Sequence, residues 1–144
     1  MGMERENIFI DATNQVAGRL ASRAAKEALN GKIVLVFNAE KAVISGNPPH
    51  VIKKYFEKVS RGDPFNGPFY PKMPDRMLKR IIRGMLPHRK AGGKEALKRI
   101  KVYNSVPEEF SKHKLISFGD EGSLPKFITL DKLSQRLGAK RVWA

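Results

Sequence analysis

The chain has 144 residues, 41% of them apolar, with 28 Lys plus Arg against 14 Asp plus Glu and no cysteine. A chain of this size suits one domain and buries roughly 70% of its unfolded surface, which excludes a disordered basic tail. The missing cysteines exclude disulfides and thiolate metal sites, and a formal charge of +14 directs attention to polyanions.

Taken in chain order, the opening MGMERENIFID has mixed charge and no apolar stretch, so no secretory signal is expected there. No apolar run approaches the ~18 residues that cross a bilayer, and the expected location is the cytoplasm. Ile8-Phe9-Ile10, ending at Asp11 before Thr13 and Asn14, predicts a short strand. Val16, Ala17, Leu20, Ala21, Ala24 and Ala28 recur at three and four and predict a helix, with Asn14 as N-cap and Asn30-Gly31 as stop. Ile33 to Phe37 is a continuous apolar run, the pattern of a strand covered on both faces. Strand, helix and strand in so short a span predict a right-handed parallel crossover.

Ala42 to Ser45 reads as a further short strand. Asn47 and Pro48 then open a helix whose buried face is Val51, Ile52, Tyr55, Phe56 and Val59. Between Ser60 and Pro74, four prolines (Pro64, Pro68, Pro71, Pro74) break the regularity, with Phe65, Phe69 and Tyr70 interleaved. A helix resumes near Asp75 and ends at Leu86-Pro87. Ile100 to Tyr103 reads as a strand, and Leu130, Leu133 and Leu137, closed by Gly138, as a last short helix. The simplest organisation is one α/β domain over 1–144, with a basic arm and a C-terminal extension over 104–144.

The charge is concentrated. Residues 72–101 carry eleven cations against Asp75 and Glu95. Within them Leu78, Ile81, Ile82 and Met85 form one apolar helical face, and Arg76, Lys79, Arg80 and Arg83 repeat the same spacing on the other side. Four aligned cations repel one another by a few tenths of a kcal/mol per neighbouring pair, a cost that an anionic partner removes. His88, Arg89, Lys90 and Lys94 follow around Gly92-Gly93, read either as a backbone that approaches phosphate closely or as a plain flexible loop. Lys98 continues the arm. A second basic stripe, Arg19, Arg23 and Lys26, lies on the first helix and is partly offset by Glu27; Lys53, Lys54 and Arg61 extend the surface. Phe65, Phe69 and Tyr70 either stack on unpaired bases or fill a satellite core.

Catalytic readings find little support. The G-x-x-x-x-G-K-[ST] loop is absent, with Glu95 where Ser or Thr would stand, and the turn from Asp11 to Gly18 lacks G-x-G-x-x-G. His50, His88 and His113 share no ligand spacing. Asp11 and Glu40 at strand ends offer Mg²⁺ two carboxylates, but a capping role suits Asp11 better. A membrane-surface role calls for bulky apolar residues opposite the cations, whereas the only Trp is the remote Trp143. No cofactor and no metal are expected.

Ile10-Asp11-Ala12-Thr13, Val16-Ala17-Gly18-Arg19-Leu20-Ala21-Ser22 and Val36-Phe37-Asn38-Ala39-Glu40 carry a family resemblance. So do Arg83-Gly84-Met85-Leu86-Pro87-His88-Arg89, Gly93 to Arg99, Lys101-Val102-Tyr103, Pro107 and the segment from Lys126 through Trp143. Over nearly its whole length the chain resembles the large-subunit ribosomal protein thirteen family in its archaeal and eukaryotic form. The resemblance implies a three-layer α/β/α fold on a small, mostly parallel open sheet. It also implies a non-catalytic constituent of the large subunit that binds its ribosomal RNA, meets neighbouring large-subunit proteins and assists early assembly. No homo-oligomer is expected. The family's RNA contacts carry over first to Arg83–Arg89 and the cations after it, then to Arg19. Asn104-Ser105 replaces the family's glycine in the turn after Tyr103, and Ser111 to Leu124 matches weakly.

Overall fold

The computed structural model describes residues 5–117 and 124–140, so Trp143 lies outside the described residues. In chain order the elements are β1 (Asn7–Asp11), α1 (Ala17–Leu29), β2 (Ile33–Phe37), β3 (Val43–Ser45), α2 (Pro48–Ser60), α3 (Pro74–Gly84), α4 (Ala91–Lys98), β4 (Ile100–Val102), β5 (Phe127–Thr129) and α5 (Leu130–Arg136). Short 3-10 turns stand at Ala39–Lys41 and Glu108–Phe110.

Strands β1, β2 and β4 form a parallel sheet with β2 in the centre, and β3 pairs with β5 antiparallel in a second, smaller sheet. Side chains alternate across the main sheet. Ile10, Val34, Val36 and Ile100 are fully buried beneath α1, α3 and α4. The opposite face carries Phe9, Phe37 and Tyr103, against which the C-terminal segment lays Phe110 and His113. Phe9 stacks on His113 at 4.4 Å, and Phe37 lies 5.3 Å from Phe110 and 5.4 Å from Tyr103. Covering on both sides explains the unbroken apolar run of β2.

The C-terminal extension packs back on this body. Leu130 and Leu133 are fully buried, the Ser134 hydroxyl donates to the Lys72 carbonyl, and Gly138 closes α5 with a φ of +96°. Ser105, rather than Asn104, takes the positive φ in the turn after Tyr103.

Two expected caps are corrected. Val16, not Asn14, is the N-cap of α1. Asn14 is left-handed (φ 59°) and its amide donates to the Lys41 carbonyl at 3.1 Å, while the Gln15 carbonyl accepts from Val43 at 2.9 Å. The chain is thus held alongside β3 until Val16, and the helix cannot begin earlier. Asp11 caps no helix. Its Oδ1 accepts from the Thr13 amide at 3.0 Å, the Thr13 hydroxyl at 2.7 Å and the Asn38 side-chain amide at 3.1 Å. Burial opposes ionisation of Asp11, but these donors and the charge of Lys41 outweigh it and hold the carboxyl below its ordinary range. The buried face of α2 also narrows. Val51 and Tyr55 are buried, Ile52 and Val59 pack against the core in part, and Phe56, at the margin of the stripe, is 57% exposed.

Candidate nucleic-acid interface

Helix α3 begins at Pro74, whose fixed φ and missing N–H suit a first turn. It buries Pro74, Met77, Leu78 and Ile82 and holds Ile81 partly in the core. Met85 is corrected: it is 44% exposed, because the helix stops at Gly84 and no longer carries the i+7 position round to the core. Met77 takes that share of the buried face. At 3.6 residues per turn, Arg76, Lys79, Arg80 and Arg83 fall within an arc of roughly 100° on the opposite side. Arg76 is exposed and the other three are half-buried. That geometry suits cations whose stems lie on apolar surface while their heads reach solvent.

After Gly84 a run of turns carries Leu86 into the core and leaves Arg89 and Lys90 exposed. His88 is half-buried. The stretch around Gly92-Gly93 is not a flexible loop but helix α4, and the reading of its glycines as a phosphate-approaching backbone gives way to a packing role. Gly93 is buried, and a Cβ there would lie 1.9 Å from the Pro87 carbonyl oxygen. Two glycines cost about 1 kcal/mol each relative to alanine in a helix, so tertiary packing through Gly93 and the fully buried Ala96 must hold α4 in place. Lys90, Lys94 and Lys98 then recur at four and are all exposed, one row along the outer side of α4.

Helix α1 has the same division. Its buried face is Ala17, Leu20, Ala21, Ala24, Ala25 and Ala28, while Arg19, Arg23 and Lys26 lie exposed on the other side. Small alanines let α1 pack against both α3 and α4. The three stripes therefore belong to three helices on one face of the sheet, with α1 packed against both of the others.

Two nearby carboxylates, Glu95 and Glu27, lie beside cations outside the stripes. Glu95 lies 3.6 Å from Arg99, whose Nη1 donates to the Ala28 carbonyl at 3.0 Å and closes the end of α1. Glu27, expected to offset the first stripe in part, lies 3.1 Å from Lys32.

The Pro-rich loop divides its aromatics. Tyr70 folds inward, edge-on to Tyr55 at 5.9 Å, with Arg80 5.9 Å and Lys58 5.6 Å from its ring centre. Phe65 and Phe69 stay outside, 90% and 69% exposed. Burial lowers the affinity of Lys58 for its proton, and repulsion from Lys54 and Arg61 adds to the effect. Sequence reasoning missed α4 and the placing of these rings. The four-residue spacing of Lys90, Lys94 and Lys98 was the available signal for α4, and the glycines concealed it.

The chain matches known proteins over most of its length. Residues 5–109 match the family model described as Ribosomal protein L13. The chain is similar to three proteins named large ribosomal subunit protein uL13. It is 46% identical to that of Methanosarcina barkeri over 136 residues, covering 91% of this chain and 97% of the relative. It is 43% identical to that of Haloarcula marismortui over 138 residues, covering 95% and 94%. It is 44% identical to that of Methanococcus maripaludis over 137 residues, covering 92% and 98%.

Proposed function

The chain belongs to the ribosomal protein L13 family, and on that premise we propose that it is a structural constituent of the large ribosomal subunit, holding large-subunit ribosomal RNA on its cationic helices. The family is structural, not enzymatic. The binding residues are Arg76, Lys79, Arg80 and Arg83 on α3, Arg89, Lys90, Lys94 and Lys98 beyond it, and Arg19, Arg23 and Lys26 on α1. His88 adds a half-buried donor between the two arms.

The observation that carries this reading is the division of α3. Met77, Leu78 and Ile82 are fully buried, so the helix cannot rotate, and its four cations are committed to the outer side. Phosphate contacts of this kind give affinity and orientation without reading sequence. They release counterions, so affinity falls steeply with salt. Neighbouring large-subunit proteins are the remaining partners. A chain that neutralises backbone charge and keeps RNA segments together also suits a role in early assembly.

Sedimentation of a cell extract tests the reading. The protein is expected to travel with large subunits and to come off only at high salt. A protein that stays in the soluble fraction at low salt would refute it.

A further inference from the structure

Among the described residues, the most exposed large apolar side chains belong to the loop between α2 and α3, Phe65 and Phe69, and Phe69 shares a cleft with Arg61 and Lys72. The loop is held in shape. The Asp63 amide donates to the Gly67 carbonyl at 3.2 Å and the Gly67 amide returns to the Asp63 carbonyl at 2.9 Å. The Asp63 side chain accepts from the Phe65 amide at 3.0 Å. Gly62, at φ +96°, lies so close that a Cβ would be 2.5 Å from the Gly67 carbonyl. The rings are thus presented by a closed hairpin, and water is in contact with apolar area that folding could have buried.

Beneath Phe69 is a cleft of about 320 Å³, walled by Arg61, Pro64, Pro68, Phe69, Tyr70 and Lys72. That volume is at the low end of ligand-sized clefts. It suits one flat ring better than the side chains of a docked helix. Arg61 and Lys72 line the cleft, and Lys58 and Arg80 lie 5.6 Å and 5.9 Å from the Tyr70 ring that forms part of its wall. The one carboxylate lining the cleft, Asp63, is occupied with the Phe65 amide.

We propose that this loop takes up an unpaired nucleobase of the large-subunit ribosomal RNA, stacked on Phe69 in the cleft, with Phe65 against a neighbouring base and Arg61 and Lys72 on the flanking phosphates. The inference rests on the RNA-binding reading above and adds a base-stacking contact to its phosphate contacts. Flat aromatic faces accept any base, while a fully paired duplex keeps its bases stacked internally and cannot supply one.

The test uses the full chain and large-subunit ribosomal RNA from the same cells. Ultraviolet irradiation of the complex, followed by mapping of cross-linked peptides, should place Phe65 or Phe69 on an unpaired nucleotide. Phe69→Ala should weaken binding roughly 10- to 100-fold with the salt slope unchanged, and Phe69→Trp should restore it. Thermal melting of both variants should match the parent, since the ring is exposed. Equal weakening on a fully paired RNA duplex would overturn the proposal. So would unchanged RNA affinity combined with loss of the variant from large subunits, which would assign the loop to a protein neighbour. A parent chain that fails to bind the RNA at all would sink both readings, whereas failure of Phe69→Ala alone leaves the phosphate contacts standing.

Discussion

Gly93 lies against the backbone of Pro87, close enough that a Cβ on Gly93 would stand 1.9 Å from the Pro87 carbonyl oxygen and 2.9 Å from the His88 amide nitrogen. Helix α4 therefore packs directly on the turns that follow α3, and the basic arm is one folded object. Gly93→Ala must push two backbones apart. The expected cost is about 1–3 kcal/mol, the range for overpacking a tight core. Gly92→Ala, where a Cβ meets nothing within 4 Å, should instead stabilise α4 by up to about 1 kcal/mol. Paired thermal denaturation of the two variants checks the contrast, and equal effects would mean that the two backbones are not closely packed.

The cationic side of α3 should be separable from its buried side. Replacing Arg76, Lys79, Arg80 and Arg83 together by Gln should weaken RNA binding and flatten the log–log salt dependence by about 0.7–0.9 for each phosphate no longer neutralised. Arg80 also lies over Tyr70, so a modest drop in stability is expected from that position alone. Titrations at several salt concentrations give the slope directly. An unchanged slope would remove α3 from the interface.

The opposite side of the same helix gives the complementary result. Ile82→Ala deletes a fully buried side chain and should cost about 2–5 kcal/mol in chemical denaturation. Met85→Ala, three residues on but past the helix end and 44% exposed, should change stability by no more than about 0.5 kcal/mol. Similar destabilisation at both positions would show that α3 extends beyond Gly84.

Asp11 gives a pH signature. Its folded-state carboxyl is held below the ordinary 3.8 by Thr13, Asn38 and Lys41 against the opposing effect of burial. A carboxyl so depressed contributes stability above the unfolded value and loses it as pH falls through the folded value. Asp11→Ala should therefore lower the melting temperature at neutral pH, and the gap from the parent should close as pH is taken below about 4. A gap that is constant down to about pH 3 would show that the ionised form is not what the three donors hold.

Much of this architecture follows from local spacing. The crossover of β1, α1 and β2, the stop at Asn30-Gly31, the strand at Ile100 and the closing helix at Leu130 all stand where periodicity and turn residues put them. So does the division of α3 into a buried and a cationic side, apart from the exchange of Met85 for Met77. The resemblance through Arg83–Arg89 supplied the ribosomal identity, which periodicity and charge do not carry.

Other features depended on residues distant in sequence. Asn14 has the chemistry of a cap, yet the Lys41 carbonyl holds its amide and moves the helix start to Val16. Nothing near Phe65 or Phe69 says which ring turns inward; Tyr55 and Arg80 decide it by receiving Tyr70.

The sequence by itself determined the α/β class, the place of the charge and the two faces of α3, because a repeat of three and four residues sets side-chain direction wherever a helix forms. Only the tertiary structure decided that the double glycine is helical and that two phenylalanines stay in water. Both outcomes depend on how closely distant backbones approach, and Pro87 against Gly93 is a distance that no local pattern encodes.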